Sequence, residues 1–287
     1  MKQKTPRAPS AFTIIEMLVV IVILMVLAAM LLPSSSRRST GRVPRISCLN
    51  NLKEIGTAYR LWCGDVHGEK FPATESLDRW GWKDLLTNAD QGVNCWSNYA
   101  IIADYLTPAT AGNATPKLLI CPADERQPAT DFITNGMRYE WLPHGVKRID
   151  YDSNAPPLPA GRTYFKDNST LSYFVGVSVN DVQPEGILSG DRNLGPGPLP
   201  DADYGYSPKS GKGNDVAVPI SGPVSWSLKM HSAGNTSGSG NILLGDGSVQ
   251  QVSSAGFRTN WLIHAGPTTN WPAGHVPSSP SIRLVFP

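Results

Sequence analysis

Nineteen consecutive residues from Ile14 to Leu32, IIEMLVVIVILMVLAAMLL, carry a single charge, that of Glu16. With Phe12 and Thr13 the run reaches 21 residues, about 31 Å as an α-helix, which predicts a helix long enough to cross a hydrocarbon core. A different pattern follows the polar stretch SSSRRSTGRVPR: Ile46, Leu49, Leu52, Ile55, Tyr59 and Trp62 recur at steps of three or four, with Asn50, Asn51, Lys53, Glu54, Thr57 and Arg60 on the other side. That period predicts an amphipathic helix whose apolar stripe docks on a sheet. Pro33 and Pro44 each remove a helix donor, so the N-terminal rod is expected to be broken once or twice.

Farther along, the period becomes two. Val224, Trp226, Leu228 and Met230 alternate with Ser225, Ser227 and Lys229, the pattern of a half-buried strand. Asn241 to Gly245 and Ser248 to Val252 flank Asp246-Gly247, a pair that tolerates the positive φ of a tight hairpin turn. Ser172 to Asn180 and Gly186 to Leu194 supply two more strands. The 195–222 segment reads as a long surface loop and the tail after Gly266 as Pro-rich and extended. Together these elements predict an α+β fold, a long N-terminal transmembrane and amphipathic helix packed on an antiparallel β-sheet head with long loops. No architecture is legible over 85–170.

Composition narrows the class. The 27 Gly and 25 Pro are about 18% of the chain against roughly 12% on average, which excludes a coiled coil or a mostly helical bundle. They lack the collagen period, and eight Trp, nine Tyr and seven Phe supply aromatic surface that a disordered chain lacks. Of the 25 basic side chains, Lys2, Lys4, Arg7, Arg37, Arg38, Arg42 and Arg45 precede Ile46, together with one acid, Glu16. The remaining chain is mildly acidic and has no basic stripe, which argues against nucleic acid as a partner. Three basic residues precede the apolar run and four follow it, so the positive-inside count alone does not orient it. Glu16 is a cost there, since a charge at the centre of a membrane helix costs roughly 2.5–3.5 kcal/mol, less near its end. The apolar run alone leaves open a secretory signal peptide, a plain anchor and a functional segment that uses this acid.

Ala11, Phe12, Thr13, Ile14, Ile15 and Glu16, followed by the apolar run to Pro33, resemble the prepilin-type signal of type IV pilins and type II secretion pseudopilins. The run CLNNLKEIGTAYRLWCGDVHGEKFP from Cys48, with the islands LICPADE, SYFVGVSVND, GDRNL and LLGDGSVQQV, is similar to pilin-like proteins of planctomycete and verrucomicrobial type. The resemblance implies cleavage by a prepilin peptidase between Ala11 and Phe12, N-methylation of Phe12, and Glu16 as the assembly residue. The family usually has Gly where Ala11 stands. A free α-amine, with a pKa of about 7.7–8, would compensate a carboxylate in an apolar bundle. The implied organisation is a cleaved leader at 1–11, a transmembrane and assembly helix at 12–33, an amphipathic stalk helix at 34–63 and an α+β head at 64–287. The implied partners are the prepilin peptidase, other pilin-like subunits, inner-membrane assembly machinery and the lipid bilayer. The implied location is a single pass of the inner membrane with an extracytoplasmic head. A second reading is a membrane-anchored ligand- or glycan-binding protein that uses Trp80, Trp82, Trp96, Trp141 and Trp271 as stacking platforms.

Cys48, Cys63, Cys95 and Cys121 all follow the apolar segment, an even number suited to disulfides. A continuous helix from 48 to 63 would separate those two by about 22 Å, so they are not partners. Cys48 and Cys121 lie in the family-like motifs, and the resemblance therefore implies Cys48 with Cys121 and Cys63 with Cys95. The spacings fit no zinc pattern. His67, His144, His231, His264 and His275 are scattered without a metal or catalytic motif. Gly176-Val-Ser178-Val-Asn180 misses a nucleophile elbow by its last residue, and the glycines around Lys212 miss a phosphate loop in spacing. Asp65, Glu69, Asp124 and Glu125 show no acid and base pairing. His231 and Asp246 read as loop and turn residues. The expectation is a non-enzymatic subunit with no metal and no cofactor.

Overall fold

The computed structural model describes residues 13–31, 42–65, 70–75, 95–106, 115–132, 141–142, 145–146, 161–165, 167–179, 183–208, 218–220, 222–231, 237–261 and 282–287. The chain divides into two compact units, Met1–Thr40 and Gly41–Pro287.

In the first unit, helix α1 runs Ile14–Leu31, 18 residues. At 1.5 Å per residue this is about 27 Å, short of a hydrocarbon core of about 30 Å. Among the described residues no helix is long and apolar enough to cross a membrane. The expected transmembrane helix, and with it the single-pass inner-membrane topology and the fold class built on it, is therefore not retained.

The second unit begins with α2, Arg42–Asp65. Pro44 sits in its first turn, where the missing N–H has no intrahelical partner to lose. Cys48, Leu52, Ile55, Tyr59 and Trp62 are buried, a stripe at steps of four and three. Ile46 is 59% exposed and Leu49 half-buried, so the predicted face holds from Leu52 to Trp62 and differs at its beginning, where Cys48 is the buried residue. Asn50, Lys53, Glu54, Thr57 and Arg60 face solvent.

A third helix, α3, spans Cys95–Ile101. Short pairs follow: β1 (Asp131–Phe132) lies parallel to β4 (Tyr164–Phe165), and β2 (Trp141–Leu142) antiparallel to β3 (Gly145–Val146). The main strands are β5 (Tyr173–Gly176), β6 (Ile187–Asp191), β7 (Leu194–Pro196), β8 (Val218–Ile220), β9 (Val224–Trp226), β10 (Ser239–Leu244), β11 (Val249–Ser253) and β12 (Ile282–Val285). Six of them form an antiparallel sheet in the order β11-β10-β6-β5-β12-β8, and β7 pairs with β9. The β10–β11 hairpin closes at Asp246-Gly247, where Gly247 adopts φ 79°, a conformation that disfavours a side chain.

Both faces of the sheet are covered. Tyr173, Val175, Leu188, Leu243 and Val285 join the core beneath α2 and α3. Phe174, Ile187, Ile242, Leu244 and Leu284 join a second core around Trp226 and Phe257. Neighbouring residues thus feed opposite cores, which is why Tyr173-Phe174-Val175 in β5 and Ile187-Leu188 in β6 are consecutive apolar residues rather than alternating ones. The expected strand over Val224–Met230 stops at Trp226. Two strands, β7 and β8, enter the stretch read as a loop over 195–222, and part of the tail becomes β12.

Candidate functional site

At the start of α1, Glu16 closes a capping box. Thr13 donates to Glu16 Oε2 from its backbone nitrogen (2.9 Å) and from its hydroxyl (2.8 Å). Glu16 N in turn approaches Thr13 Oγ1 at 3.4 Å. The Ser/Thr-x-x-Glu arrangement satisfies donors that a helix N-terminus leaves open. The acid of the apolar run therefore has a local partner in the single chain.

A second constellation is buried in the other unit. α2 presents Cys48, the turn after Leu119 presents Cys121, the end of β6 presents Asp191, and the segment after β9 presents His231. Cys48 and Cys121 are joined by a disulfide with 5.2 Å between Cα atoms, within the usual span. Cys121 Sγ lies 3.3 Å from His231 Nε2, and Nε2 lies 3.4 Å from Asp191 Oδ2. One ligand-type atom from each of the four residues lies within 4.8 Å of the others, and all four residues are buried.

The backbone delivers these groups deliberately. Met230, with φ 61°, is the non-glycine residue in the left-handed region among the described residues, a conformation costing about 1 kcal/mol or more. It immediately precedes His231, whose ring is buried. The His231 carbonyl is held by Arg45 Nη2 and by Ser239 Oγ (2.6 Å). Asn241 fixes Asp191 by donating to Oδ2 from its backbone (2.7 Å) and its side chain (2.9 Å). Asp191 Oδ1 and His231 Nδ1 have no hydrogen-bond partner among the described residues. Burial pushes the Asp191 carboxyl up to about 8 despite the Asn241 hydrogen bonds. Burial, aided by the Arg45 charge, brings the His231 imidazole down to about 4. Near pH 7 their contact is thus between neutral groups rather than an ion pair.

Next to this cluster Arg192 grips Asp124 through Nε (2.6 Å) and Nη2 (2.8 Å), while Ser172 Oγ donates to Asp124 (2.7 Å). Arg126 donates to the carbonyls of Asn168 (2.8 Å), Leu171 (2.6 Å) and Pro208 (2.8 Å).

Residues 7–32 match the prokaryotic N-terminal methylation motif. This is the prepilin type, and it implies processing by a peptidase and, in general terms, association with a membrane. No curated protein and no solved structure matches the chain. The methylation motif encloses the expected cleavage and methylation positions, Ala11 and Phe12, which lie outside the described residues, and it includes Glu16.

The expected Cys63–Cys95 bond is not formed. Cys63 Sγ instead donates to the Lys70 carbonyl (3.1 Å) and Cys95 Sγ to the Tyr173 carbonyl (3.3 Å). Each is a buried thiol anchored to backbone on a different part of the core. Asp246 does sit in the hairpin turn, accepting from Ser248 N (2.8 Å). His231 also lies outside the strands, in a bend after β9, and its side chain is buried. The one local signal for Asp191 is an acid ending the strand ILSGD. Asp124 is engaged by Arg192, and Glu125 accepts from Lys229 Nζ (2.8 Å). Asp65 is exposed, and Glu69 lies outside the described residues. Of the tryptophans considered as stacking platforms, Trp96 is buried against Phe165. Trp80, Trp82 and Trp271, and the side chain of Trp141, lie outside the described residues.

Proposed function

We propose that this chain is a non-enzymatic pilin-like subunit that is cut before Phe12 by a prepilin peptidase, methylated on the new amine and assembled through α1 with other pilin-like subunits. The assembly belongs to a type II secretion or type IV pilus-like system. The observation that carries the reading is the match of residues 7–32 to the methylation motif. The surface of α1 supports it: apolar side chains from Ile14 to Leu27 are all exposed, on every side of the helix. A helix apolar all round is stable when buried among others of its kind. In this reading Glu16 exchanges its Thr13 hydrogen bonds for the Phe12 amine of a neighbouring subunit.

The test is the mass of the N-terminal peptide of protein isolated from its own cells, together with incorporation of Glu16→Ala. The expected results are a chain starting at N-methyl-Phe12 and a folded Glu16→Ala variant that fails to enter assemblies. A chain that begins at Met1, or normal incorporation of the variant, would overturn the reading.

A further inference from the structure

We propose that the dithiol form of this protein is a zinc-binding form, with Cys48 Sγ, Cys121 Sγ, His231 Nε2 and a carboxylate oxygen of Asp191 as the four ligands. The disulfide is the metal-free form of the same site. The inference goes beyond assembly, because it concerns the head alone.

Geometry carries it. Zinc takes four ligands in a tetrahedron, with bonds of about 2.3 Å to sulfur and 2.0–2.2 Å to nitrogen and oxygen. The edges of such a tetrahedron are about 3.6 Å between sulfur and nitrogen and about 3.4 Å between nitrogen and oxygen. The Cys121 to His231 separation is 3.3 Å and the His231 to Asp191 separation is 3.4 Å. Two edges of the polyhedron thus already exist. The remaining change is the parting of the two sulfurs to about 3.7 Å once their bond is broken, a side-chain movement between Cα atoms 5.2 Å apart.

The surroundings point the same way. A disulfide needs neither an imidazole nor a carboxylate beside it, and burying either group without a partner is unfavourable. Here both are buried, Asp191 Oδ1 has no partner among the described residues, and Met230, immediately before the imidazole, stands in the left-handed region. Asn241 orients the carboxylate through two hydrogen bonds, as outer residues orient metal ligands. Two sulfurs, an imidazole and one carboxylate on four separate segments form a mixed donor set suited to zinc and poorly suited to calcium or magnesium, which prefer all-oxygen sites.

The interconversion balances. A dithiol delivers two electrons and two protons to the Cys48–Cys121 bond and is itself oxidised to a disulfide. Zinc then binds the two sulfurs as thiolates and Asp191 as carboxylate, releasing the protons those groups held to solvent. His231 coordinates as neutral imidazole.

Cobalt(II) tests the site spectroscopically on the full chain. The protein is reduced with a phosphine, which becomes phosphine oxide, or is unfolded, reduced and refolded, and is then titrated with Co2+. The expected result is one equivalent bound with thiolate-to-cobalt charge transfer and tetrahedral visible bands, displaced by Zn2+ and absent from the oxidised protein. His231→Gln and Asp191→Asn, checked for folding by circular dichroism, should each weaken binding by more than about tenfold. A Cys63→Ser, Cys95→Ser variant should keep the bands. Absence of charge transfer in reduced, folded protein would overturn the proposal. So would equal binding by oxidised protein, unchanged affinity in folded His231→Gln and Asp191→Asn, or loss of the bands with the Cys63 and Cys95 pair.

Discussion

Arg192 holds Asp124 with two nitrogens at 2.6 and 2.8 Å, and both side chains are sealed from solvent. The pair fastens the CPAD turn, which carries Cys121, to the residue after Asp191. It therefore fixes two of the four groups of the buried cluster relative to each other. Tyr204 covers the guanidinium, with its ring centre 3.4 Å from Arg192 Cζ.

Removing one partner of this pair leaves the other charge buried and alone. Asp124→Asn should therefore destabilise the head by about 3–5 kcal/mol, read by urea unfolding. Arg192→Lys should also be costly, because an ammonium cannot reproduce the bidentate fork. Burial acts to raise the Asp124 carboxyl, and the hydrogen bonds and charge of Arg192 overcome it, so the group sits below its ordinary range. Its contribution is present above the unfolded value of about 3.9 and is lost as pH falls through the lower folded value. Acid unfolding of the wild type should steepen there, and the Asp124→Asn variant should lack that component.

Asp191 and His231 predict a slope on the alkaline side. Asp191 holds its proton more tightly folded, with a value of about 8 against about 3.9 unfolded, so its contribution falls as pH rises between these values. His231, at about 4 folded against about 6.5 unfolded, contributes stability that is lost as pH falls below about 6.5. The two slopes oppose one another between pH 4 and 6.5, as follows from the same values. Above about 6.5 only Asp191 acts, and stability should drop by about 2 kcal/mol by pH 8. Urea unfolding of oxidised, chelator-treated protein checks this, and Asp191→Asn should flatten the slope.

The Cys48–Cys121 bond closes a loop with a sequence separation of 73. Chain-entropy arguments assign such a crosslink about 4 kcal/mol. A Cys48→Ala, Cys121→Ala variant should lose about 2–5 kcal/mol in chelator-treated buffer, seen as a lower unfolding midpoint. An unchanged midpoint would mean that the turn at Cys121 is held by noncovalent contacts alone.

Gly240 crosses Trp226 at van der Waals distance. A Cβ at Gly240 would lie 2.5 Å from the indole ring, and Trp226 is completely buried. The rigid ring has no room to retreat, so Gly240→Ala should cost about 1–3 kcal/mol and shift the tryptophan emission of the folded protein. Wild-type stability and emission in that variant would show that β10 can slide past the ring.

The legible parts of the head were those written in local periods. Asp246-Gly247 between two apolar runs marks the hairpin, and the steps from Leu52 to Trp62 mark the buried face of α2. The beginning of that face was misplaced because Cys48 scores as one apolar residue among several, while its bond to Cys121 lies 73 residues away. β12 was illegible for a related reason. Ile282–Val285 gains its place by inserting between β5 and β8, and nothing within four residues encodes two distant neighbours. The buried cluster is the extreme case, since Cys48, Cys121, Asp191 and His231 belong to four segments that meet only in the folded head. Its local traces are an acid at the end of an apolar strand and a histidine beginning a Gly/Ser-rich stretch. For α1 the apolar run has 21 residues, and the helix described spans Ile14–Leu31, 18 residues.

The position of the disulfide also governs how the head responds to tension. A pull entering at Arg42 travels about one and a half helical turns before reaching Cys48, where a covalent branch passes the load directly to Cys121. The rest of α2, with the Asn51 bond to the Tyr173 hydroxyl and the Arg60 bond to the Gly245 carbonyl at the end of β10, lies beyond that branch and is shielded from shear. Oxidised, the head should extend under force only by unwinding its first few residues. Reduced and free of metal, it should transmit the same pull along the whole helix and let α2 peel from the sheet, which makes the sulfur bond a mechanical fuse as well as a crosslink.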